Sequence, residues 1–234
     1  MYRMIFTCPD ITFTTRRLSQ FLRGLVEHHS DSLKELFRYI RCTIDQKIRY
    51  GPTRQSRLVV YAKDLPDENL TVYSDADWAG DKSDRKSTSG CVAMLYGGPI
   101  SWASRKQRSV ATSSTESEYI AMSLCAKQAV WLGQVIRDMG YPEYVGRDPT
   151  NVQVRGDNQG ALALVKNPRL HERSKHIDIQ YHHIRDLEER KRITVLYVLT
   201  TEMIVDGMTK LLDRIAFLWF KELIGLTDSR SRNE

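Results

Sequence analysis

Three consecutive strand patterns joined by tight turns, followed by helix, strand, helices, strand and helix, restrict this chain to a mixed sheet covered by helices. The strands are LTVYSD from Leu70, GCVAMLY from Gly90 and GPISWAS from Gly98, with Gly97-Gly98 as the turn between the last two. A helix is predicted from about Thr115 to Met139, with Ile120, Leu124, Trp131, Val135 and Met139 on one stripe. Strand 151–157 follows, then a short helix from Asn158 that Asn167-Pro168 ends. A polar, His-rich helix over 172–190, a strand over 193–199 and a last helix from Asp206 to Leu223 complete the pattern.

The first part of the chain reads differently. Leu18, Phe21, Leu22 and Leu25 form one helical stripe; Leu33, Leu36, Phe37 and Ile40 form another, with Asp31 or Ser32 as its cap. A hairpin-like stretch over 47–63 leads into DLPDEN, a linker or tight turn. Residues 1–57 carry eleven Lys/Arg against five Asp/Glu, which accounts for the whole formal charge of +6. Such a basic segment attracts phosphate, or is simply a solvated helix face. The expected division is a helical segment over 1–65, an α/β domain over 66–225 and a disordered tail over 226–234.

Cys8, Cys42, Cys91 and Cys125 are scattered without metal-ligand spacing, as expected of reduced thiols inside a cell. No apolar run approaches the roughly 18–20 residues of a membrane helix, and no signal-peptide pattern opens the chain.

Four acids recur at strand ends and helix starts. Asp75 sits in NLTVYSDADWAG, Glu118 in SSTESEYIAM, Asp157 in NVQVRGDNQGAL and Asp206 in MIVDGMTKLL. Gathered together they repel unless cations lie between them, and a hard divalent ion such as Mg²⁺ takes oxygen ligands. Each has a duller reading. Asp75 could be a turn acid, with Asp77 in its place. Glu118 or Glu116 could close a capping box with Thr115 or Ser113, and the helical wheel does not choose between them. Asp157 and Asp206 could be helix caps.

The motifs YSDADWAGD, DRKSTSGCVAMLYGGPISWASRKQ, SSTESEYIA, GDNQGALAL, SKHIDIQYHHIRD and VDGMTK, over most of residues 70–215, resemble the ribonuclease H domain of copia-type retrotransposon Pol polyproteins. PDI, LSQF and LKELFRYIRCTID resemble the end of the reverse transcriptase just upstream. The resemblance implies a ribonuclease H-like α/β fold, with a mixed five-stranded sheet of three antiparallel and then parallel strands, and a thumb or connection remnant over 1–65. No Tyr-x-Asp-Asp motif is present, so DNA synthesis is not expected.

The activity so implied is endonucleolytic hydrolysis of the RNA strand of an RNA–DNA hybrid, leaving 5′-phosphate and 3′-hydroxyl ends. Two Mg²⁺ ions, with Mn²⁺ as substitute, would be held by Asp75, Glu118, Asp157 and Asp206, and Glu118 is preferred to Glu116 on the family pattern alone. Arg105, Lys106, Ser113, Ser114, Asn158 and Gln159 are candidates for touching the nucleic acid. The expected partners are the hybrid and the upstream reverse transcriptase, without membrane or small-molecule cofactor; the expected place is the cytoplasm, in a virus-like particle, or the nucleus. Many cellular ribonucleases H carry a mobile histidine in a glycine-containing loop before the last carboxylate, where this chain reads TTEMIV, without His or Gly. His176, His182 and His183 are read as a solvated or hybrid-facing surface. The competing reading is a silent nucleic-acid-binding module or a transposon relic.

Overall fold

The computed structural model describes residues 1–24, 26–51, 69–146, 148–166 and 178–228. Its helices begin earlier than expected. Helix α1 (Tyr2–Phe6) precedes α2 (Thr12–Ser19) and α3 (Glu27–Cys42). The stripe expected to continue through Leu22 ends at Ser19, whose hydroxyl donates to the Arg16 carbonyl at 2.7 Å and competes with the helical ladder. Helix α3 opens four residues before the caps read from sequence. The Val26 amide donates to His29 Nδ1 at 3.4 Å, so Asp31 and Ser32 lie inside the helix.

Strand β1 (Gln46–Ile48) corrects two expectations together. It pairs antiparallel with β7 (Leu226–Asp228), Lys47 opposite Thr227, where a local hairpin and a disordered tail were read. Gly225, at φ 70°, makes the reversal into β7, and its carbonyl accepts from the Arg49 amide at 2.9 Å. A pairing between residues nearly 180 positions apart has no local signature. Residues 52–63 of the expected hairpin and most of DLPDEN lie outside the described residues.

The central sheet has the order β4-β3-β2-β5-β6, built from β2 (Thr71–Asp77), β3 (Thr88–Leu95), β4 (Gly98–Lys106), β5 (Val152–Gly156) and β6 (Ile193–Tyr197). Strands β2, β3 and β4 are antiparallel, and β5 and β6 run parallel to β2. This is the ribonuclease H-like α/β arrangement expected from the sequence. The tight turn sits one residue earlier than read: Leu95 pairs with Gly98, and Tyr96 and Gly97, at φ 51° and 73°, form the loop. Positive φ at both central positions marks the turn whose twist matches paired strands.

Helix α4 (Ser114–Asp138) crosses one face of the sheet together with α5 (Gln159–Lys166) and α6 (Asp178–Glu189). Its buried face is Tyr119, Met122, Cys125, Ala126, Ala129, Leu132 and Ile136. The stripe read from sequence lies at the margin instead, with Trp131 and Met139 exposed. Cys125, Ala126 and Ala129 at the centre of that face let the helix axis lie close to the sheet. The last helix is two: α7 (Asp206–Thr209) and α8 (Arg214–Leu223), the second capped by Asp213, which accepts from the Ala216 amide at 2.8 Å. Both help to form a second apolar cluster around Val92, Val205, Met208 and Phe220.

The N-terminal segment packs on this assembly. The Trp102 indole donates to the Met4 carbonyl at 2.6 Å, Arg17 lies 3.6 Å from Asp81, and the Tyr39 ring meets Phe217 edge-on at 5.7 Å.

Candidate active site

Parallel pairing of β2 with β5 brings their carboxyl-terminal ends together, which sets Asp75 beside Asp157. Helix α4 begins next to these ends and contributes Glu118 from its first turns. One carboxylate oxygen from each of Asp75, Glu118 and Asp157 lies within 4.8 Å of the other two. Asp206, the first residue of α7, stands beside this trio. The bridge is Thr209, whose hydroxyl donates to Asp75 Oδ2 and also to the Asp206 carbonyl at 3.2 Å.

Asp75 is 5% exposed and Glu118 8%. Burial pushes the Glu118 carboxyl up to about 9; the charges of Asp75 and Asp157 add to this, and the Ala76 amide opposes it. Burial also pushes Asp75 up to about 6. The Thr209 hydroxyl and Lys210 hold it down, while Asp206 and Asp157 raise it. The site is short of positive charge. An all-oxygen donor set that resists its own ionisation fits a hard divalent cation, which would supply that charge.

The structure separates the alternatives left open by the sequence. Glu116 turns back to the helix start and accepts from the Thr112 amide at 2.8 Å and its hydroxyl at 2.5 Å, while its own amide donates to Ser113 Oγ at 3.1 Å. Glu118 faces the other acids. Asp77 closes over the following turn: a Cβ on Gly80 would lie 1.6 Å from Asp77 Oδ2.

Several nucleic-acid candidates have structural duties. Ser113 caps α4, and Asn158 Oδ1 accepts from the Ala161 amide at 2.9 Å at the start of α5. Lys106 is ion-paired with Asp81 at 2.5 Å and Asp84 at 2.9 Å. Arg105, Ser114 and Gln159 are exposed. His183 lies on α6, where burial and then Lys127 hold its pKa down. His182 is exposed on the same helix, and His176 lies outside the described residues.

Three participants escaped the sequence reading. Thr209 and Lys210 lie in VDGMTK without a role assigned to them, although the spacing from Asp206 puts both within one helical turn of it. Gly90 is the register partner of Asp75, and a Cβ there would lie 2.5 Å from Val205 Cγ1 and 2.6 Å from Thr209 Cγ2. Its bare backbone lets α7 approach closely enough for Thr209 to reach Asp75.

Three antiparallel strands followed by two parallel ones, flanked by helices, make a ribonuclease H-like fold, and Asp75 and Asp157, the first buried and the second half-buried, stand at the ends of its adjacent parallel strands. No family model matches the chain. It is 38% identical over 224 residues to the retrovirus-related Pol polyprotein from transposon RE1 of Arabidopsis thaliana, covering 96% of this chain and 14% of that protein. It is 36% identical over 228 residues to the Pol polyprotein from transposon TNT 1-94 of Nicotiana tabacum, covering 97% and 16%. The chain is a copia-type retrotransposon Pol homologue, spanning about a seventh of the length of these relatives. Over 132 residues it is also 42% identical to secreted RxLR effector protein 161 of Plasmopara viticola, covering 56% of this chain and 84% of that protein. Among solved structures, the N-terminal RNase H domain of a Mycobacterium tuberculosis protein superposes with a TM-score of 0.43 at 14% identity, covering 60% of this chain and 91% of that one.

Proposed function

We propose that this chain is the ribonuclease H unit of a copia-type Pol polyprotein, hydrolysing the RNA strand of RNA–DNA hybrids during reverse transcription. The observation that carries the reading is the trio of carboxylate oxygens within 4.8 Å, two of them from buried side chains with raised pKa values. Asp75, Glu118 and Asp157, with Asp206 beside them, would hold two Mg²⁺ ions, or Mn²⁺ in their place; ions bound there supply Lewis acidity and a water acidic enough to attack phosphorus.

The protein's own part is to keep the ligands in place. Thr209 engages one oxygen of Asp75 and leaves the other free. The Ala76 amide holds Glu118, and the Thr112–Ser113 cap fixes the start of α4 from which Glu118 projects. Hybrid selectivity would come from 2′-hydroxyl contacts near Ser114 and Gln159. Residues 1–65 are read as the end of the reverse transcriptase, whose upstream part is the partner that would hold the hybrid. The working place is intracellular.

The test is cleavage of a hybrid labelled in its RNA strand, with Mg²⁺ and with EDTA. Wild-type protein should cut the RNA strand and spare duplex DNA, and Asp157→Asn should fold normally and lose cutting. Wild-type protein that binds the hybrid without cutting it would be a silent module, and an Asp157→Asn variant at full rate would refute the site.

A further inference from the structure

We propose that Lys210 is a resident counter-cation, which occupies the Asp206 side of the carboxylate cluster in the metal-free protein and must withdraw when a divalent ion binds. The proposal rests on reading these carboxylates as a cation site. Asp206 Oδ1 is shielded from solvent, and among the described residues its close polar neighbour is the Lys210 ammonium at 2.9 Å. An oxygen in that state is a ligand position held by a bare charge, and a lysine ammonium is a compact point charge on a flexible stem.

The backbone around the pair is fixed on one side and loose on the other. Met208 and Thr209 are wholly buried, and Thr209 is tied to both Asp75 and the Asp206 carbonyl. Lys210 is the C-cap of α7, with extended φ −140° and ψ 162°, and its side chain is 44% exposed. The carboxylates therefore stay in place while the ammonium can leave toward water. With Glu118 protonated, one positive charge still faces the three aspartates of the cluster, so a divalent ion has reason to replace it.

The experiment compares the wild-type chain with Lys210→Met, Lys210→Gln and Lys210→Arg by calorimetric titration with Mn²⁺ and by melting in EDTA. Without the lysine, Mn²⁺ should bind about fivefold tighter, the scale of a half-exposed ion pair, because no ammonium has to be displaced. The same two neutral variants should melt lower in EDTA, where the acids are left uncompensated, and Lys210→Arg should stay near wild type in EDTA. A merely structural lysine would not move the two readouts in opposite directions. Unchanged or weaker Mn²⁺ binding in both neutral variants, or unchanged melting in EDTA, overturns the proposal while leaving the cation site standing. Wild-type protein that takes up no Mn²⁺ sinks both.

Discussion

Divalent-ion binding should expel about one proton per chain at pH 7. The Glu118 carboxyl, pushed up to about 9, is almost wholly protonated at that pH in the metal-free protein; Asp75, at about 6, is about one-tenth protonated. A cation takes the ionised carboxylates, so the protons leave and affinity rises with pH. Between about pH 7 and 9 the Glu118 proton alone should strengthen binding roughly tenfold per pH unit, and below about pH 6 the Asp75 proton should add up to a further tenfold per unit.

The same groups act on folding. Their carboxyls rise from 4.5 and 3.8, so between those values and about 9 the folded state holds more protons than the unfolded chain. Their contribution to stability therefore falls as pH climbs through that window and levels off above it. Titration of Mn²⁺ in two buffers of different ionisation enthalpy counts the released protons directly. Zero release at pH 7, with affinity flat from pH 6 to 9, would refute the electrostatic account of this site.

Glu118→Gln should abolish Mn²⁺ uptake and raise the melting temperature in EDTA at pH 9, because a neutral amide replaces a buried acid. Glu116→Gln should do the reverse, weakening the start of α4 by about 0.5–2 kcal/mol in denaturant unfolding while Mn²⁺ affinity stays within about twofold. Equal losses of binding in the two variants would show that the glutamates are not divided between site and cap. Gly90→Ala should cost about 1–3 kcal/mol by overpacking against Val205 and Thr209, and should weaken Mn²⁺ uptake as α7 is pushed from Asp75. A variant of wild-type stability and affinity would remove Gly90 from the account.

The legible parts of the chain are those whose signal is local. The β-branched and aromatic run LTVYSD and the Gly97-containing turn marked the antiparallel strands, and Thr115 fell within one residue of the start of α4 at Ser114. Caps and stripes misled where packing decided. Trp131 and Met139 fit a helical wheel as well as Met122 and Ala126 do, but it is the face centred on Cys125, Ala126 and Ala129 that lies against the sheet. Residues 226–228 were misread because β7 exists only by pairing with β1.

At the site, strand ends and helix starts in the sequence determined which acids could meet, since a carboxylate placed there is held at the edge of a sheet. Tertiary structure alone decided the rest. It turned Glu116 into a cap and Glu118 toward Asp75, because the choice depends on which helix face meets β2. It joined Thr209 to Asp75 across 134 positions through the space left by Gly90. It also lifted two carboxyls far above their ordinary values, because burial and neighbouring charge belong to three-dimensional position and cannot be read from residue type.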